Sequence, residues 1–315
     1  MLGVIELVVP LFGLIFLGYA AGRIVKLPIE GLAWMNFFIV YVALPAMFYL
    51  LLSKTPLEQF ANLGFIAVTT FCTLAIFSVT FVIAGLRNGG NVAESTIQGF
   101  AGAYGNIGYM GPPLALAAFG PESAVPVALI FCFDNSLHFT MGPLLMGLHS
   151  GEKAGAGRLA LQVLKKIFTH PFILATIAGV AGAALRIDLP DSANKLLQFL
   201  GGAAAPSALF AMGVTAALRP LKRVPMELGY LVPIKLVVHP VLVYVLVKLL
   251  VPGVEPIWLH TAVMMAALPS ATNVFVIAQQ YGIWQERASS AVVISTLAAT
   301  LTVTGYLYLV QAGYL

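Results

Sequence analysis

Hydrophobic positions fall in long unbroken runs separated by short polar or charged breaks, and neither the period-2 alternation of a strand nor one helical face of polar residues recurs within a run. Runs of about 20 apolar residues are what a membrane-spanning helix needs. The breaks predict spans near residues 2–22, 31–53, 62–86, 95–119 and 123–148, then 161–185, 194–217, 226–250, 257–281 and 287–311. A transmembrane barrel is excluded, because it reads as alternating segments of about ten residues. The expected fold class is therefore an all-α membrane protein of ten transmembrane helices. The first run starts at Met1 with no basic residue ahead of it and carries Glu6, so it is expected to be a true helix and not a cleaved leader.

Composition removes the soluble alternative. Charged residues are 9% and hydrophobic residues 60% of the chain, with a mean hydropathy of +0.96, where a soluble domain carries roughly a quarter charged residues. The net charge of +4 reports topology. Eleven of the 16 basic residues (Arg23, Lys26, Arg87, Lys153, Arg158, Lys165, Lys166, Arg219, Lys222, Arg223 and Arg287) follow the odd-numbered spans. The positive-inside bias makes that side cytoplasmic and places both termini outside, in a plasma membrane such as the bacterial inner membrane. Basic patches interleaved with aromatics are absent, so no nucleic-acid partner is expected. Cys72 and Cys132 sit in apolar runs without metal-ligand spacing and read as free core thiols.

Five spans per half, residues 1–150 and 160–315, make any internal repeat an inverted one. Pro10 and Pro171, Pro45 and Pro206, and Gly18 and Gly179 are each separated by 161 residues. Inverted repeats with interrupted helices place a transporter's substrate site near the midplane. Two such interruptions are expected. Span four contains Gly105-Asn106-Ile107-Gly108-Tyr109-Met110-Gly111-Pro112-Pro113, and span nine contains Leu268-Pro269-Ser270-Ala271-Thr272-Asn273. Proline and glycine at that density open a helix. The amino ends of the half-helices then direct free N–H groups and a partial positive charge into the gap, which suits a carboxylate. Asn106 and Asn273 supply side-chain amides beside them; the competing role is to satisfy the broken backbone.

Span five adds Asp134, Asn135 and His138. An intramembrane acid costs about 2.5–3.5 kcal/mol on insertion scales and faces a cavity or a partner. Asp134 and His138 share a helical face. They either bind the proton or Na⁺ that drives transport or pair with Lys235 or His239, themselves four apart on span eight. Asn135 points elsewhere on the helix, where it can reach substrate. His170 and His260 read as capping or interfacial histidines and His149 as a loop residue. Gly18 to Gly22 allows close helix packing.

At these residues the chain resembles the auxin efflux carrier family, which includes the plant PIN exporters and bacterial permeases for malonate, malate and similar acids. The resemblance rests on 105–114, Ala205-Pro206-Ser207-Ala208-Leu209-Phe210-Ala211-Met212-Gly213, Lys235-Leu236-Val237-Val238-His239-Pro240, and Leu268 to Ala278. It implies two inverted five-helix repeats, as in bile-acid sodium symporters, with crossed broken helices 4 and 9. It also implies a scaffold of helices 1, 2, 6 and 7 that forms a homodimer, and a mobile transport domain of helices 3–5 and 8–10. By the same resemblance Asn106 and Asn135 are anion ligands, flanked by Gly105 and Ile107, with Pro269 and Asn273 on the second arm. Asn273 and Gly105 stand where the plant carriers have prolines, and their long central loop is absent, so a bacterial-type permease is favoured over an auxin carrier. The expected function is elevator-type secondary transport of a small organic anion without a bound cofactor. An anion channel and a membrane sensor or receptor on the same fold are the alternatives. An enzyme is not expected, since Asp134 is the one aspartate within a span and neither Gly-x-Ser-x-Gly nor His-Glu-x-x-His occurs.

Overall fold

The computed structural model describes residues 2–150, 156–218 and 224–315. These residues are helical throughout, apart from short connections, with no strand among them. The helices are α1 (Leu2–Val25), α2 (Ile29–Leu52), α3 (Leu63–Arg87), α4 (Val92–Ala103), α5 (Gly111–Phe119), α6 (Ala124–Ser150) and α7 (Ala156–Phe168). They continue with α8 (Pro171–Ala184), α9 (Asp191–Leu218), α10 (Leu228–Leu250), α11 (Pro256–Ala267), α12 (Thr272–Tyr281) and α13 (Gln285–Gln311). Six stretches are each long and apolar enough to cross a membrane unaided: α2, α3, residues Pro121–Gly147 around α6, α9, α10 and α13. The chain is a multi-pass membrane protein.

Prolines shape these helices locally. Pro45 and Pro240 each lack the N–H that would bond the carbonyl four residues back, and each follows a widened π turn, Ile39–Ala43 in α2 and Ile234–Val238 in α10. The wide turn makes room for the proline ring without ending the helix. Lys235 and His239 sit at the second of these turns, so a local irregularity positions two of the candidate residues.

Two corrections to the expected spans follow. The run 161–185 is not one helix: α7 and α8 meet at a 62° bend at Thr169-His170. Pro171 forces a new start, and the His170 Nδ1 accepts the Phe172 N–H at 3.3 Å to cap it. At 1.5 Å per residue α8 is roughly 21 Å long, while α7 is amphipathic in three directions. Leu159, Val163 and Ile167 are half-buried, Leu161, Leu164 and Phe168 form an exposed apolar stripe, and Gln162 and Lys165 are exposed on a third side. His149, expected in a loop, lies in the last turn of α6. Lys153, Arg219, Lys222 and Arg223 lie outside the described residues.

The densest helix pairings fall into two groups, which also touch each other through α1–α13 and α2–α6. In the first, α1 runs along α9, and α2 packs against α8 and α9. Backbone approaches backbone here: a Cβ on Gly18 would stand 2.1 Å from the Phe210 carbonyl oxygen, and one on Gly213 would stand 2.0 Å from that of Ile15. Any side chain would force α1 and α9 apart, so only glycine permits this contact. Gly179 faces α2 less tightly: a Cβ there would stand 2.8 Å from the Leu52 Cβ and 3.5 Å from the Phe48 carbonyl oxygen. In the second group α3 packs on α4, α6 and α10, α10 on α11, and α12 on α13. At the face rich in basic residues, Arg287 bridges Glu227 at 2.7 Å and Glu94 at 3.4 Å, Arg87 lies over the Tyr230 ring, and Tyr230 donates to Gln98. This network ties α3, α4, α10 and α13 together.

Candidate functional site

Both expected interruptions are present. α4 ends at Ala103 and α5 begins at Gly111, where Pro112 and Pro113 occupy positions that need no helical N–H. α11 ends at Ala267, because Pro269 holds Leu268 in an extended conformation (φ −63°, ψ 148°), and α12 starts at Thr272. The two breaks join. Asn106 N donates to the Pro269 carbonyl and Ala271 N to the Tyr104 carbonyl, both at 2.8 Å, in an antiparallel bridge between Gly105 and Ser270. Backbone groups freed by one interruption thus satisfy those of the other, which is what the absence of water inside a bilayer demands. Ser270 pins the junction further, its N–H donating to Ser295 Oγ at 3.1 Å and its hydroxyl to the Ala101 carbonyl at 2.7 Å.

A chamber of about 230 Å³ opens beside this bridge. The breaks contribute Tyr104 to Tyr109 and Ala271 to Asn273; α6 contributes Phe131 and Asn135; α2 and the start of α8 contribute Val40, Leu44, His170 and Phe172. The chamber therefore lies on the boundary between the two helix groups. Gly105, Asn106, Ile107, Asn135 and Asn273 all line it, whereas Pro269 stands one residue behind it and acts through its carbonyl.

The donors around the chamber come from three sources. At the α12 start, the N–H groups of Thr272 and Asn273 have no intrahelical acceptor, and no side chain caps that helix. The α5 start is poorer than expected, because Pro112 and Pro113 carry no N–H; the loop amides of Gly108 and Tyr109 before it take that place. Side-chain amides complete the set. Asn106 Nδ2 meets only the weakly accepting Met212 sulfur, at 3.3 Å. Tyr104 orders the others: its hydroxyl donates to Asn135 Oδ1 at 2.5 Å and accepts from Asn273 Nδ2 at 2.9 Å. Asn135 Nδ2 donates to the Phe131 carbonyl at 2.8 Å, leaving one N–H of that amide for a ligand. Tyr104, the hub of the site, was missed by sequence reasoning. Its one signal was its place directly before the Gly105-Asn106 break.

Asp134, His138, Lys235 and His239 are all buried behind the chamber. The expected ion pair is not formed: among the described residues no salt bridge joins Asp134 to Lys235 or His239 within 4.0 Å. Instead Asp134 Oδ2 accepts from Thr73 at 2.9 Å, while Oδ1 has no partner. The Lys235 ammonium donates to the Ala266 carbonyl at 2.5 Å and lies 3.3 Å from His239 Nδ1. A void of about 10 Å³, roughly the room one water needs, touches Asp134, Thr73, Thr69 and His239. His138 Nδ1 lies 2.6 Å from the Asp134 carbonyl oxygen, so that nitrogen carries the proton, and the ring stacks on Tyr104 with centroids 4.0 Å apart. A series of contacts therefore runs from the Asp134 backbone carbonyl, not its carboxylate, through His138 and Tyr104 to Asn135. His260, expected at an interface, meets Tyr306 near the far end of α11 and has no part in the chamber.

A multi-pass helical protein whose two interrupted helices bond across a polar interior chamber has the construction of a membrane transporter. Comparison with known proteins agrees with that class. The family described as "Membrane transport protein" matches residues 3–154 and 152–307. The chain belongs to this family, the auxin efflux carrier-like group of membrane transporters. It is 55% identical, over 98% of its own length and 96% of the relative's, to a Rhizobium meliloti (strain 1021) protein named "Putative malonate transporter". It is 24% identical over 96% of both lengths to an uncharacterized transporter of Methanothermobacter thermautotrophicus. It is 25% identical to Auxin efflux carrier component 1 of Arabidopsis thaliana, over 45% of this chain and 23% of that protein.

Proposed function

We propose that the protein is a secondary transporter for a small dicarboxylate, malonate or a close relative such as malate, working by an elevator-type alternating access. The observation that carries this reading is the bonded pair of helix breaks, which leaves amide donors facing a chamber and places no carboxylate in its lining. Backbone and side-chain amides, with no lysine or arginine in the lining itself, bind a carboxylate while leaving its release easy. A chamber of about 230 Å³ lies below the roughly 300–1,000 Å³ of sites for drug-sized ligands, which favours an acid of a few carbons. The name of the Rhizobium relative points to the same class.

The ten-span reading counts the six long helices, α1, the bent α7–α8 pair, and the interrupted pairs α4–α5 and α11–α12 as single crossings. Inverted symmetry is supported by the glycine contacts: Gly18 and Gly179, 161 residues apart, each receive the backbone of the partner repeat's second span, at Phe210 and Phe48. The group of α1, α2, α8 and α9 is then the scaffold, and the remaining spans the transport domain. With the chamber on their boundary, sliding of one group past the other exposes the site to each side in turn. The exposed ring stripe Trp34, Phe37 and Tyr41 on α2 supplies a face for a scaffold homodimer. The amphipathic α7 suits the cytoplasmic interface of the plasma membrane, with its apolar stripe in lipid and Lys165 in water, leaving both termini outside.

For coupling, a proton at Asp134 is favoured over Na⁺. The carboxylate has a free oxygen and a one-water void, but the Lys235 ammonium already occupies the wall behind Gly105 and opposes a second cation.

The test is uptake of labelled mono- and dicarboxylates into proteoliposomes under imposed proton and sodium gradients. Saturable malonate uptake, accelerated by an inward proton gradient and indifferent to sodium, is expected. Non-saturating flux would replace the carrier with a channel, and uptake confined to other solutes would remove the dicarboxylate assignment.

A further inference from the structure

A second chamber, of about 210 Å³, shares Tyr104 and Asn273 with the first and runs from them toward the face rich in basic residues, ending at Lys166, Gln280 and Tyr281. Asn273 Nδ2 donates to the Tyr104 hydroxyl at 2.9 Å, so the residues common to both chambers are bonded to each other. Lys166 is the one lysine or arginine in the lining, and no aspartate or glutamate lines it among the described residues. That ammonium also has no ion-pair partner among the described residues. A second, independent feature points to a ligand. His138, buried at 3% exposure, lines the same chamber, and its Nε2 has no hydrogen-bond partner. With the ring proton held on Nδ1 by the Asp134 carbonyl, Nε2 is a buried acceptor without a donor, which a small movement of the chamber wall would offer to the hydroxyl of a protonated carboxyl group.

We propose that this outer chamber is a second anion station, in which Lys166 holds the carboxylate substrate on its way between the central chamber and the basic face. The station rests on the transport reading given above. A single exposed ammonium at the mouth raises the local anion concentration and binds weakly, so the substrate is gathered without being trapped. Opening the Tyr104–Asn273 contact then passes it to the Asn106 and Asn135 amides. Lys166 projects from α7, next to the bend into α8, whereas Tyr104 and Asn273 belong to the helix breaks. Lys166 thus comes from α7, which packs on both α6 and α8, and the rest of the lining from α6, α12 and the break at Tyr104, so the station serves the site while it faces the basic side.

The test compares labelled malonate transport by the full-length wild type, Lys166→Gln and Lys166→Arg in proteoliposomes of sorted orientation. From the basic face, Lys166→Gln raises the apparent KM on the order of fivefold, the scale of one partly exposed charge contact. From the opposite face KM stays at the wild-type value, Lys166→Arg stays near wild type from both, and high salt removes the difference. An equal shift on both faces, or no shift, overturns the station. Loss of transport in Asn106→Ala, measured alongside, separates the two claims: if it is lost while Lys166→Gln is normal, the outer station falls and the central site stands. If the wild type moves no malonate, both fall.

Discussion

Asn135→Ala and Asn106→Ala are expected to reduce specific malonate uptake severely while the purified protein stays folded and monodisperse. Each amide is worth roughly 1.5–3 kcal/mol as a donor to a charged group, so each single variant should lose on the order of ten- to a hundredfold in kcat/KM. Asn135 carries the larger effect. Its side chain also receives the Tyr104 hydroxyl, so its removal leaves that buried hydroxyl without its acceptor and loosens Asn273 on the other arm. Asn106→Ala removes only a contact to the Met212 sulfur from the protein itself, so its loss should appear in transport and not in thermal stability. Normal uptake by both variants would take the amides out of the site.

Asp134→Asn is expected to uncouple the carrier. The substitution keeps an acceptor for Thr73 and removes the charge, so the fold should survive. Uptake driven by an imposed proton gradient should fall to the rate seen without a gradient, whereas exchange of internal for external malonate, which needs no net proton movement, should persist. The residue lies behind the chamber, directly before Asn135 in α6, so its charge acts on the ligand site through space; His138 and Tyr104 meet its backbone carbonyl and not its carboxylate. An unchanged gradient response in Asp134→Asn would reduce the acid to a structural partner of Thr73.

How much of this was legible beforehand depended on which forces write themselves into local sequence. Membrane spans were readable because hydrocarbon imposes length and apolarity on every crossing, and the breaks at Gly105–Pro113 and Leu268–Asn273 because proline and glycine act on their own backbone. The bend at Thr169-His170 was missed because the apolar residues of α7 run on into those of α8, although α7 carries Arg158, Lys165 and Lys166 and its apolar residues keep to one part of its circumference. Tyr104 was missed because its importance is a matter of distant partners. Nothing near residue 104 announces that its hydroxyl meets Asn135 and Asn273, 31 and 169 residues away. Lys235 reaching Ala266 in place of Asp134 is likewise a long-range outcome, decided by the π turn that carries it. The donor-poor α5 start went against the expectation of free N–H groups at both half-helices, although Pro112 and Pro113 stood in the sequence to show that those groups are lacking.

The central claim is that the bonded helix breaks hold the anion, and the position of bound malonate tests it most directly. An electron cryomicroscopy map of the protein with saturating malonate should show density within hydrogen-bonding distance of Asn106, Asn135 and the Thr272–Asn273 amides, absent from a malonate-free map. Malonate density elsewhere, with the chamber lined by Asn106 and Asn135 empty, would contradict the account.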